Sequence, residues 1–186
     1  KRIGKAHRVT LIGSNPYFAF TPSNPWIAVG WRRPEQTTIG AAEHLERRGI
    51  TFHEQPVIRI DVDGNRVELA DGSVIEHDYL LICTGPKLDF AAIPGLGPET
   101  GFTQSVCTSP HADHAWQAYQ HFTAEPGPVV VGAVQGASCF GPAYEFAFIL
   151  DADLRKRKIR DKVPMTYITS EPYVGHMGLG GVGDSK

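Results

Sequence analysis

Cysteine is scarce in this chain, and what there is suits few of sulfur's usual roles. Cys83, Cys107 and Cys139 are the three present. An odd, scattered set builds no disulfide framework, and without a CxxC pair neither a zinc knuckle nor a thioredoxin-like site is expected. His111 and His114 form a lone HxxH, but no carboxylate or thiol joins them at a matching spacing, so no metal site is expected. No run approaches the roughly 18 apolar residues of a membrane span. No excess of positive charge exists either: 18 Lys and Arg stand against 20 Asp and Glu, a net charge of -2. That leaves no basic footprint for nucleic acid. The longest basic stretch, 155–160 with Lys162, reads as the solvated end of a helix. No signal peptide opens the chain. It begins at Lys1 with a strand almost at once and stops in a glycine-rich stretch, so both ends are expected to be cut rather than finished.

What is present is an ordinary globular composition, 41% apolar and 20% charged over 186 residues, enough for one domain or parts of two. Residues 7–12 (HRVTLI) form a β-rich run that stops at the turn signal Gly13-Ser14-Asn15-Pro16. The aromatic, proline-punctuated segment 17–31 has no clear period. Ile39, Ala42, Leu45 and Glu46 have helical spacing, with Gly49 as C-cap, and Ile50 opens another strand. Stretches 57–63, 66–70 and 73–77 alternate apolar and polar residues around Asp63-Gly64-Asn65 and Asp71-Gly72, which predicts a small antiparallel meander. YLLIC (79–83) is apolar throughout, as a strand covered on both faces should be. Within it Cys83 is expected to be an inert core residue.

After the Gly/Pro-rich linker 94–101 come a helix over 110–122 with Ser109 as N-cap, a buried strand over 128–133, a proline-led helix over 142–158 and a buried strand over 163–169. That order predicts a βαβ unit on a parallel sheet. The fold class is α/β, a Rossmann-like parallel sheet with an antiparallel β-meander, incomplete.

Cys107 and Cys139 each lie three residues ahead of a predicted helix start. Unpaired N–H groups and the positive dipole end favour an anion there, so both thiols are expected to be acidified; two unremarkable loop cysteines is the plainer alternative. The passage VVVGAVQGASC (129–139) sits where a nicotinamide site would carry G-x-G-x-x-G, but the glycine spacing fails and the loop is too long. It is better suited to presenting Cys139. Glu145 falls on the first turn of the next helix, as a proton shuttle or as a mere complement to the helix dipole. His111, four residues after Cys107, is a possible acid/base or a solvated helix-face residue. His176 lies in a glycine-rich loop. The aromatics Tyr17, Phe18, Phe20, Trp26 and Trp31 read as core or as a wall for a flavin or quinone.

Several stretches together resemble the sulfide:quinone oxidoreductase family of two-dinucleotide-binding-domain flavoproteins: VTLIGSNPYFAFTPSNPW (9–26), YLLICTGPK (79–87), QSVCTSPHA (104–112), GASCFGPAYE (136–145) and ITSEPYVGHMG (168–178). They span nearly the whole chain in the family's order. The resemblance implies bound FAD, sulfide oxidised at redox cysteines, and a quinone as electron acceptor. It implies that Cys139 takes up sulfur beside the flavin and counts among its contacts. Cys107 resembles an additional cysteine used in sulfur release or flavin attachment, and Glu145, His111 and His176 fall on proton-transfer positions. Thr84 and Gly85 match a segment that contacts FAD. Gly13 and Ser14 match the end of the strand that holds the adenosine ribose; Gly13 supplies no carboxylate there, so backbone or Ser14 contacts must substitute. Ser23 and Val57 complete the implied FAD-facing set.

On this resemblance, residues 1–98 are part of the FAD-binding domain, lacking the first strand and its G-x-G-x-x-G. Residues 99–186 are part of a second, NADH-like nucleotide fold carrying both cysteine loops. About half a complete member is expected to be present, neither holding FAD tightly nor turning over alone. The full-length protein is expected at the inner (cytoplasmic) membrane, docked peripherally through C-terminal elements beyond Lys186, as a possible homo-oligomer. Other readings are a flavin subunit of a sulfide dehydrogenase serving a cytochrome, an NADH-dependent flavoprotein reductase, and a non-catalytic dinucleotide-fold module.

Overall fold

The structure, a computed structural model, describes residues 6–137 and 139–177. It divides into two compact units. One takes the chain up to Ala19 together with Thr38–Asp89; the other takes Phe20–Thr37 together with the chain from Phe90 onward.

In the first unit β1 (Val9–Gly13) pairs in parallel with β4 (Ile50–Glu54), Val9 opposite Ile50 and Gly13 opposite Glu54. Between them run β2 (Tyr17–Ala19), β3 (Thr38–Gly40) and α2 (Ala41–Glu46). The helix starts later than its apolar spacing predicts because residues 38–40 are drawn into an antiparallel pair with β2. It ends at Glu46 with Arg47 as its C-cap rather than the expected Gly49, which closes the turn that follows with a φ of +70°. The meander forms as expected: β5 (Val57–Asp61), β6 (Arg66–Leu69) and β7 (Val74–Glu76) pair antiparallel in that order. Its first turn is tied by Asp61, which accepts from the Gly64 N–H at 3.0 Å and from Arg66 Nε at 2.8 Å. Val67 and Leu69 of β6 are its buried centre.

YLLIC departs from expectation. Residues 79–83 form no strand; Tyr79 is 96% and Leu81 86% exposed, and Cys83 is exposed rather than a core residue. A strand buried on both faces needs a hydrogen-bonding neighbour, and none of the described strands pairs with this segment.

The second unit is a helix layer on a parallel pair, β8 (Val129–Ala133) and β9 (Met165–Thr169), with Val129 opposite Met165. α4 (Gly141–Lys156) is the crossover, and α1 (Asn24–Ala28) and α3 (Ser109–Ala124) precede it. α3 begins one residue earlier than predicted: Thr108, not Ser109, caps it by accepting from the His111 N–H at 3.2 Å. Ala112, Ala115 and Tyr119 make its buried stripe, and Ile149, Leu150, Asp153 and Leu154 that of α4. Val29, Val131 and Val163 complete the core, where burying a residue such as Leu154 stabilises by about 1.5–3 kcal/mol.

β8 and β9 are covered on one face only. Val131 is buried, but Val130 and Ile168, on the other side of the pleat, are 60% and 52% exposed. The expectation of fully buried strands is therefore corrected: the helices cover one face, and no described element covers the second. The basic stretch that begins in the last turn of α4 is also more than a solvated end, because Arg155 and Arg160 both donate to Asp151.

Candidate active site

α3 and α4 both pack on α1 and run the same way. Near their starts, Ala112 and Ala115 share a buried cluster with Phe146. Further along both helices, Tyr119 Oη of α3 donates to Asp153 Oδ2 of α4 at 2.7 Å. Both helix starts therefore lie at one end of the layer, and with them Cys107 and Cys139, each two residues ahead of the first helical residue rather than three. Both thiols are free and exposed. The loop that presents Cys139 leaves the carboxyl end of β8 and turns at Gly136, whose φ is +83°. In open α/β sheets ligands bind at the carboxyl ends of the strands, and Cys139 stands at that edge.

The segment after β9 reaches the same edge. Glu171 accepts hydrogen bonds from Tyr144 Oη at 2.6 Å, from Thr169 Oγ1 at 2.7 Å and from the Met177 N–H. Tyr144 Oη in turn accepts from the Gly175 N–H at 2.8 Å, so the loop bearing His176 is docked onto the first turn of α4. Tyr144 stacks on Tyr167 at 4.6 Å, and His176 meets Tyr173 edge-on at 5.1 Å. Burial disfavours the charged form of Glu171, but the bonds from Tyr144, Thr169 and Met177 together with nearby His176 outweigh it and hold the carboxyl below its ordinary range. Burial above all, with Tyr144 and Glu171 nearby, pushes the Tyr167 hydroxyl up.

A carboxylate whose folded pKa is depressed contributes stability above its unfolded pKa and loses it as pH falls through the folded one. The 171–177 loop should therefore keep its amide protection at Gly175 and Met177 as pH falls through the ordinary carboxylate range and lose it only below that range. Glu171→Gln should lose it at every pH, as read by hydrogen exchange. Equal protection in the variant would contradict the clamp.

His111 sits in the first turn of α3 with Nε2 2.7 Å from Glu99 Oε1 and its ring 5.5 Å from Phe90. Glu145 lies in the second turn of α4, not the first, and is exposed. Cys107, Cys139, His111, Glu145 and His176 thus all belong to the second unit. Three residues there carry no expectation from sequence: Glu99, Tyr144 and Glu171. Tyr144 and Glu171 are 27 residues apart, a separation at which no local pattern signals contact.

The FAD-facing positions Gly13, Ser14, Val57, Thr84 and Gly85 belong to the first unit. Gly13 ends β1, and a Cβ there would meet only the Phe52 ring at 3.7 Å. Gly85 takes a φ of +71° with no atom within 4 Å of a Cβ position. Ser14, Thr84 and Val57 are exposed. A glycine and a hydroxyl at the open carboxyl end of a parallel pair, and a second exposed hydroxyl beside an unobstructed glycine, fit close approach by a dinucleotide. Ser23, expected in the same set, is 3% exposed within the second unit. Among the described residues no group of His, Cys, Asp and Glu is placed to hold a metal ion, and no helix is long and apolar enough to cross a membrane.

Comparison with known proteins adds four findings. The chain is 51% identical over 179 residues to the sulfide-quinone reductase of Aquifex aeolicus, covering 96% of this chain and 41% of the relative. It superposes on the crystal structure of the sulfide:quinone oxidoreductase of Aquifex aeolicus with a TM-score of 0.90 and 47% identity, covering 98% of this chain and 42% of that one. NDH2 of Plasmodium falciparum shares the fold at a TM-score of 0.64 and 17% identity, over 88% of this chain and 37% of that one. The chain spans about two fifths of the length of the relatives it matches. Residues 26–166 match the model of the FAD dependent oxidoreductase family. With that match over most of its length, and with the parallel α/β pairs and antiparallel meander described above, the chain belongs to the FAD dependent oxidoreductase family.

Proposed function

We propose that the protein carrying this chain oxidises sulfide with bound FAD and delivers the electrons to a quinone. The observation that carries the reading is the pair of free, exposed thiols at the shared starting end of α3 and α4. The names of the two Aquifex aeolicus relatives state that substrate and that acceptor, and half of the residues in this chain are the same as in the relative.

Cys139 takes up the sulfur. A cysteine thiolate and HS⁻ together yield a persulfide, one proton and two electrons, and Glu145, His111 and His176 are the groups assigned to take the proton. Cys107 is the second thiol, serving sulfur release. Gly13, Ser14, Val57, Thr84 and Gly85 hold the cofactor: the glycines admit its backbone-close groups, and the Ser14 and Thr84 hydroxyls donate to them. FAD, when bound, accepts the two electrons and passes them on. Quinones dissolve in lipid, so the working protein is assigned a peripheral place at that membrane, with self-association left to the same protein.

Adding sulfide without oxygen to the flavin-loaded protein should bleach its oxidised-flavin absorbance, and a soluble quinone should restore it. Bleaching by NADH but not by sulfide would overturn the reading in favour of a nicotinamide-dependent reductase.

A further inference from the structure

We propose that Glu99 is a positioning residue for His111, fixing its imidazole as the tautomer protonated on Nε2 and leaving Nδ1 as the ring atom that exchanges protons; this rests on the function proposed above. Nothing in the sequence joins the two residues, which lie in separate segments, the Gly/Pro-rich linker and the first turn of α3.

The geometry carries the assignment. His111 Nε2 stands 2.7 Å from Glu99 Oε1. An ionised carboxylate only accepts hydrogen bonds, so a neutral imidazole at that distance must place its proton on Nε2. The His111 side chain is 17% exposed, and the Phe90 ring lies tilted against it, which limits ring flips. Its Nδ1 is buried and has no partner among the described residues. A buried acceptor with no donor is costly, and with Nε2 held by Glu99 it is the ring atom left to take a proton.

The other histidines of α3 sharpen the contrast. His114 and His121 are exposed, and neither side chain is engaged by a carboxylate. Orientation of one ring nitrogen by a carboxylate, so that the other nitrogen acts, is a general way of preparing histidine for proton transfer. Glu99 is itself largely exposed, so the pair's worth is in orientation rather than stability.

Two measurements test this. Nitrogen-15 NMR of the flavin-loaded protein labelled at its histidine rings should show neutral His111 protonated on Nε2 and bare on Nδ1. The opposite tautomer overturns the proposal. In turnover, Glu99→Gln should lower kcat about tenfold with KM for sulfide and FAD content unchanged, and Glu99→Asp should recover part of it. In a His111→Ala background, Glu99→Gln should change kcat less than twofold, because the partner through which it acts is gone. An undiminished kcat in the single variant, or an equal tenfold loss in both backgrounds, overturns the proposal. Should the parent protein show no sulfide-dependent turnover, the proposed function fails, and the tautomer measurement still decides the role of Glu99.

Discussion

Cys139→Ala, made in the flavin-loaded protein, should cut sulfide-dependent quinone reduction by roughly three orders of magnitude or more and leave the FAD content unchanged. The size follows from the chemistry assigned to this sulfur. Without it no persulfide forms, and neither Glu145 nor any histidine nearby can replace a sulfur nucleophile. The cofactor should stay because the residues assigned to hold it, Gly13, Ser14, Val57, Thr84 and Gly85, lie in the other unit. Exposure alone does not make a thiol functional, and the chain supplies its own control. Cys83 is as free and exposed as Cys139, but it belongs to the first unit, whereas α3 and α4 belong to the second. Cys83→Ala should leave turnover within about twofold of the parent, because its thiol is exposed and no step of the reaction is assigned to it. A Cys139→Ala protein that still reduces quinone with sulfide at a comparable rate would remove the thiol from the reaction.

The largest effect on stability is expected at Asp153, only 2% exposed on the inner face of α4. It accepts from Trp31 Nε1 and Tyr119 Oη, each at 2.7 Å, and from Arg157 Nε. One carboxylate thus ties the segment after α1, the middle of α3 and the end of α4. Burial first, and then the bond to Asp153, pushes the Tyr119 hydroxyl well up, so the tyrosine stays a donor across the working range. Asp153→Ala removes the shared acceptor and leaves a half-buried guanidinium and two donors without it. Breaking such a buried pair costs about 3–5 kcal/mol. For a chain of this size that lowers the thermal midpoint by on the order of 10 °C. Asp153→Asn keeps one acceptor oxygen and should lose less. A midpoint within about 2 °C of the parent for Asp153→Ala, read by circular dichroism, would show that the three bonds are not what joins these elements.

Much of this was legible along the chain because it depends on neighbours in sequence. Asp63-Gly64-Asn65 and Asp71-Gly72 mark the meander turns, and Asn65 and Gly72 take the positive φ those turns demand. Proline and a hydroxyl start α3, and the 3–4 spacing of Ala112, Ala115 and Tyr119 continues it. α1 was not legible: its five residues are too few for a period, and it persists because Ile27 and Ala28 pack on Ala112 and Ala115. The helical spacing that begins at Ile39 overlaps β3 because three residues carry no period of their own, and pairing with β2 decides the matter. YLLIC failed in the other direction, since apolar composition says that a segment should be buried but not that a neighbour is there to bury it.

The candidate site divides along the same line. The residue types and their order, two thiols ahead of two helices with histidines and a carboxylate a few residues on, are properties of the sequence by itself, since helix capping and turn chemistry act within a handful of residues. Which end of the layer those thiols share, that Glu171 and Tyr144 clamp the loop bearing His176, and that Glu99 meets His111, only the tertiary structure decided. Those contacts join residues 12 to 27 positions apart. Packing brings such residues together, and no short-range preference of the chain encodes which pairs will meet.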